Sequence, residues 1–258
     1  MLLYSQASGQ PHSGKDPVVL IHGLFGSFEN LGVIARSLSD QYQVINIDVR
    51  NHGRSPHSDD MSYPLMAEDL AQTLDELAID RAVLLGHSMG GKLAMTFALL
   101  YPQRVSKLIL ADIAPVAYHP RHNSIFAGLL AVDLANLQNR AQAQAALATH
   151  ISEAGVQQFL LKSLVKNADD SFSWRFNLKA LKANYAKLTG EPQTEGRYDG
   201  PALFIKGADS DYILPEHKAL IVQLFPKAQA KIIQGTGHWL HAEKPAAFTK
   251  LVQDFLLS

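Results

Sequence analysis

Residues Gly86-His87-Ser88-Met89-Gly90 set a hydroxyl between two glycines, directly after the apolar run Val83-Leu84-Leu85. That G-x-S-x-G spacing suits a sharp strand-to-helix turn that exposes a serine nucleophile. Extended to Lys92, the same stretch also spells G-x-x-x-x-G-K, most of a phosphate-binding loop. Both patterns follow a strand and open a helix, so their further requirements must separate them. A phosphate loop needs Ser or Thr after the lysine to hold Mg²⁺, and position 93 is Leu. An acid at the end of a later apolar strand is available to it in Asp112.

A serine nucleophile needs a base, because an unassisted hydroxyl barely ionises near neutral pH. His238, in "GTGHWLHAEKP", follows the last apolar run of strand length. The tetrahedral intermediate needs backbone N–H donors. "IHGLFGS" follows the first buried strand, where a glycine turn can aim the Leu24 N–H, and Met89 supplies a second donor at a helix N-terminus. The whole set is present, so the chain is read as a Ser88–His238 acyl hydrolase and not as a nucleotide binder.

Other residues carry competing readings. His241 and Glu243 lie near His238, but His-x-x-His lacks the i, i+4 spacing of helical zinc motifs, so no metal is expected. Arg50 in "DVRNHGRS" reads as structural, paired with a carboxylate or with carbonyls. Trp239 is placed to line an acyl pocket or to pack the histidine loop. Phe126 and Trp174 are candidate acyl-pocket residues, and Arg121 is a candidate contact for a substrate head group.

The elements that must position these residues are legible as a rhythm. Residues 17–23, 42–48, 81–87 and 105–112 are runs rich in Val, Ile and Leu, alternating with helical spacing at 30–39, 64–77 and 90–100. The alternation resumes at 201–207, 215–224, 230–235 and 245–257. Such a pattern predicts an α/β fold with a mostly parallel sheet covered on both faces. Residues 115–196 show helical spacing and no convincing strand, and read as a helical insertion into one domain spanning 1–258.

Composition narrows the partners. With 23 basic and 24 acidic residues, no positive surplus exists to neutralise nucleic acid. No apolar run approaches a membrane span, the N-terminus lacks a signal-peptide pattern, and cysteine is absent. These features are compatible with a cytoplasmic protein; oligomeric state is left open.

Taken together, "HGLFGS", "DVRNHGRS", "GHSMGG" and "GTGHWLHAEKP" resemble the α/β-hydrolase superfamily, and in particular small bacterial esterases of the YbfF type. The resemblance covers nearly the whole chain. It implies an eight-stranded, mostly parallel sheet, a helical cap at 115–196 after the sixth strand, no cofactor, and small acyl esters or acyl-CoA thioesters as substrates. Carbon–carbon bond hydrolysis with the same residues, or an idle binding pocket, are the alternatives. It also bears on the acid that partners His238. Most of the superfamily carries it in the turn after the seventh strand, here "KGADSDYILP", where Asp211 is available. YbfF-type esterases are similar in placing it after the sixth strand, which implies Asp112.

Overall fold

The computed structural model describes residues 1–192 and 196–258. Nine strands occur among them: β1 (Ser5–Ser8), β2 (Val18–Ile21), β3 (Val44–Ile47), β4 (Ala82–His87), β5 (Val105–Ala111), β6 (Leu164–Lys166), β7 (Phe172–Trp174), β8 (Ala202–Gly207) and β9 (Ala228–Ile233). Seven of them form one sheet in the order β1-β3-β2-β4-β5-β8-β9. Every pairing in it is parallel except β1 with β3. Helices α1 (Gly32–Leu38), α2 (Tyr63–Glu76) and α3 (Met89–Leu100) connect the early strands.

Alternate residues of the central strands pack on opposite faces, as the two-residue period of a strand requires. Val19, Ile21, Leu84, Leu108 and Leu110 join the core with α2 and α3. Val18, Leu20, Val83, Leu85, Ile109 and Leu203 join a second core with α1 and the last helix. Burial on both faces explains why these strands read as continuous apolar runs.

Between β5 and β8 the chain forms α4 (Asn123–Ala131), α5 (Arg140–Ala148), α6 (Ala154–Leu161), the antiparallel β6–β7 hairpin, α7 (Leu178–Ala183) and α8 (Tyr185–Thr189). After β8 come α9 (Lys218–Leu224), β9, α10 (Leu240–Glu243) and α11 (Pro245–Leu257). No described helix is long and apolar enough to cross a membrane.

Three expectations need correction. The sheet has seven strands among the described residues, not eight. The 115–196 segment is not wholly helical; its strands β6 and β7 are three residues each, too short for a two-residue period to register. Asp112 therefore follows the fifth strand in chain order. The end of that segment at 193–195 lies outside the described residues.

The register of the sheet does the positioning. His87 pairs with Ala111, so Ser88 and Asp112 leave adjacent strands side by side. Ile21 pairs with Gly86, bringing the loop after β2 to the same end. Gly207 pairs with Ile233, so the turn after β8 and the loop carrying His238 also converge there. The chain steps from β2 outward to β3 and then back across to β4, and a crevice at such a reversal is where ligands of open α/β sheets bind.

Candidate active site

Ser88 occupies the N-cap position of α3 with φ +53° and ψ −118°, a conformation sparsely populated by any residue with a side chain. Tight packing of its neighbours holds it there. A Cβ on Gly86 would lie 2.2 Å from the Gly90 carbonyl oxygen, and one on Gly90 would lie 2.3 Å from that of Ile21. The hydroxyl of Ser88 does not cap its helix. It donates instead to His238 Nε2 at 2.9 Å.

On the far side of the ring, His238 Nδ1 donates to Asp112 Oδ2 at 2.8 Å. Asp112 is fully buried. Its Oδ1 accepts from the Gly207 N–H at 3.1 Å, and its Oδ2 also accepts from the Ser210 hydroxyl. Asp211, the other candidate acid, is exposed and ion-paired with Arg121. The Tyr212 ring stacks on His238 at 3.7 Å between centroids. His87 Nε2 donates to the His238 carbonyl at 2.9 Å, which fixes the backbone of that loop.

The loop after β2 closes over Ser88: a Cβ on Gly23 would lie 3.4 Å from that of Ser88. Two imidazoles hold this loop by accepting from its surroundings. His22 Nε2 accepts from the Val49 N–H at 3.1 Å, and His52 Nε2 accepts from the Phe25 N–H at 3.1 Å. Each can accept only when neutral, and burial keeps each neutral: His22 is lowered, and His52 is pushed down to about 3. Neither the Leu24 N–H nor the Met89 N–H meets an acceptor among the described residues, so both are free for a ligand oxygen. Arg50 is structural, its guanidinium clamping Asp69 at 2.6 and 2.8 Å beneath the loop.

Two cavities meet at Ser88. One, of about 40 Å³, is lined by Tyr63, Met89, Lys92, Ile113, Tyr118 and Leu188 among others, with Arg121 also in its wall. The other, of about 530 Å³, is lined by His238, Trp239, Phe159, Val156 and Ile125 among others. Leu24 borders both. Phe126 and Trp174 line neither, contrary to expectation. They are buried in an aromatic cluster, Phe126 edge-on to Phe25 and Tyr185, Trp174 stacked on Phe176. Apolar spacing on a helix or strand marks burial without saying against what.

This end of the sheet thus carries a hydroxyl on an imidazole on a buried carboxylate, with two free N–H groups beside it. Residues 16–245 match the family described as the alpha/beta hydrolase fold. The chain belongs to that family. It is 45% identical over 250 residues to Esterase YbfF of Escherichia coli (strain K12), covering 96% of each chain. It is 40% identical over 247 residues to the sn-1-specific diacylglycerol lipase ABHD11 of Mus musculus, covering 93% of this chain and 80% of that one. Among solved structures it is similar to a marine microorganism esterase, with a TM-score of 0.94 at 38% identity over 98% of this chain and 99% of the other.

In this alpha/beta hydrolase the turn after β8 contributes to the site without supplying its acid. Ser210 stands where an acid commonly falls in the superfamily, and it instead bonds the acid supplied by β5. Tyr212, stacked on His238, carries no sequence signal of its own.

The buried rings carry a consequence for stability. Burial lowers His22 and His87, and takes His122 and His241 to about 4 alongside His52 at about 3. Below about pH 6.5 the unfolded chain takes up protons at these rings that the folded chain does not. Stability is therefore lost as pH falls through the unfolded-state value of about 6.5, each neutral buried ring adding to the slope. Urea midpoints measured from about pH 7 down to about pH 5.5 should fall steadily; a flat profile would show that these rings are not held neutral.

Proposed function

We propose that this hydrolase, which acts on ester bonds, does so through an acyl-enzyme on Ser88. The observation that carries the reading is the continuous Ser88 Oγ–His238–Asp112 chain at 2.9 and 2.8 Å. Ser88 Oγ attacks the ester carbonyl carbon as its proton passes to His238 Nε2. The N–H groups of Leu24 and Met89 hold the oxyanion, each worth roughly 3 to 4 kcal/mol in comparable sites. Asp112 stabilises the imidazolium without taking its proton. His238 then gives that proton to the leaving oxygen as the C–O bond breaks. A water, deprotonated by the same Nε2, attacks the acyl carbonyl, and the proton returns to Ser88 as the acid departs.

The proton route also orients the substrate. The leaving group must reach His238 Nε2, so the alcohol lies in the larger cavity, which His238 and Trp239 line. The acyl group lies opposite, in the small cavity bounded by Met89, Lys92, Tyr63 and Leu188. A space of about 40 Å³ suits a short acyl chain on a bulkier alcohol. A thioester fits the same scheme, with sulfur leaving toward His238, and acyl-CoA thioesters are substrates on this reading. Segment 115–196 acts as the cap, since α8 supplies Leu188 and Tyr185 to the small cavity.

A panel of p-nitrophenyl esters tests this, with kcat/KM expected to fall as the acyl chain lengthens beyond about four carbons. Leu188→Ala should raise kcat/KM for the longer esters relative to acetate by about tenfold, the worth of one or two methylene-sized contacts. No ester hydrolysis at any length would overturn the function, and a series that rises with acyl length would move the acyl chain to the larger cavity.

A further inference from the structure

Lys92 carries the phosphate-loop pattern that the site does not use, and its surroundings give it another task. It lies in the first turn of α3, with its backbone N–H bonded to the Ser88 carbonyl at 3.0 Å. Its side chain is 1% exposed, an uncommon place for an ammonium. Nζ donates to the carbonyls of Thr189, at 3.0 Å, and of Gly190. These are the terminal carbonyls of α8, which have no partner within their own helix. The Tyr63 hydroxyl donates to the neighbouring Leu188 carbonyl at 2.7 Å, and the Tyr118 N–H shares the Thr189 carbonyl at 2.9 Å. The Tyr118 ring lies 4.6 Å from Nζ, adding a cation–π contact. The helix that begins at the nucleophile thus grips the last helix of the inserted segment, and the wall of the small cavity lies between them.

We propose that Lys92 is a positioning residue that fastens α8 over the acyl pocket and so sets which acyl lengths Ser88 accepts. This rests on the reading of the small cavity as the acyl side. Loosening the clasp lets Leu188 and Tyr185 move outward, which admits longer chains and weakens the fit of short ones.

The clasp is also placed to respond to pH. Burial pushes the Lys92 ammonium down to about 7, against a smaller opposing pull from Glu191. A neutral amine keeps its two N–H groups but loses the charge that strengthens them. Around it, Tyr63 and Tyr118 are raised by burial and stay protonated, while burial holds His122 at about 4 and therefore neutral. Tyr212 is pushed up to about 12 by burial, and Tyr185, Arg121 and His119 complete the titratable lining. His119 is exposed and is controlled by His119→Gln.

The test compares kcat/KM for p-nitrophenyl acetate and hexanoate from about pH 6 to about pH 9. Both esters use His238, so its titration cancels in their ratio. In the native protein and in His119→Gln the acetate preference should fall about fivefold to tenfold through about pH 7. Lys92→Met should show the low preference at every pH, and Lys92→Gln, a neutral donor, should restore part of it without the pH step. Amide hydrogen exchange across 185–190 should be at least about tenfold faster in Lys92→Met than in the native protein, with β4 and β5 unchanged. Exchange as slow as native, together with a ratio independent of pH, overturns the clasp. Faster exchange accompanied by altered preference only among acetate esters of different alcohols keeps the clasp and overturns the acyl-side assignment.

Discussion

Replacing Ser88 by alanine should lower kcat for ester hydrolysis by about 10³-fold or more. The substitution keeps the Cβ that the strained turn already accommodates and removes only the oxygen bonded to His238 Nε2. What remains is the pair of N–H donors and the cavities, which in comparable enzymes sustain a residual rate far below that of the intact set. The fold is expected to persist, because the lost hydrogen bond lies in a partly exposed site and is worth about 1 kcal/mol. Circular dichroism with a full pH–rate profile checks both halves. A folded variant that kept a tenth of the rate would remove Ser88 from the mechanism.

Asp112→Asn should cost roughly 10³ to 10⁴ in kcat, whereas Asp211→Asn should cost less than about tenfold. The reason for the first is a conflict of donors. Asp112 offers acceptors in both directions, one oxygen to the Gly207 N–H and the other to His238 Nδ1. An asparagine that keeps its oxygen toward Gly207 turns an NH₂ toward Nδ1. The imidazole must then carry its proton on Nε2, where it can no longer accept the one from Ser88. Asp211 has no such role: its carboxylate meets Arg121 at the surface, and that contact holds it below the usual carboxylate range. Steady-state kinetics of the two variants on one short ester gives the comparison, and a reversal of their order would route the relay through the turn after β8.

The central strands were legible because burial on both faces leaves an uninterrupted apolar run, as in Val18–Ile21 and at 82–85. Strand β1 was not, since Ser-Gln-Ala-Ser at a sheet edge has no buried face to pattern it. Ser88, His238 and the loop around Leu24 were legible because each lies in the segment that follows a strand whose register the sheet dictates. Apolar side chains of the inserted segment announced only that they would be buried. Whether Phe126 or Leu188 met the cavity depended on how α4 and α8 settle on the sheet, which no local pattern encodes. Lys92 illustrates a different point. Its spacing suggested a ligand, and its ammonium is satisfied by the protein's own carbonyls.

The proposed mechanism requires Ser88 to be made reactive by His238. Treatment with a fluorophosphonate, followed by intact mass and peptide mapping, measures this directly. One phosphonyl adduct per chain is expected on the peptide containing Ser88, absent in Ser88→Ala and formed at least about 10²-fold more slowly in His238→Ala. An adduct at any other residue, or none in a protein that still hydrolyses esters, would contradict it.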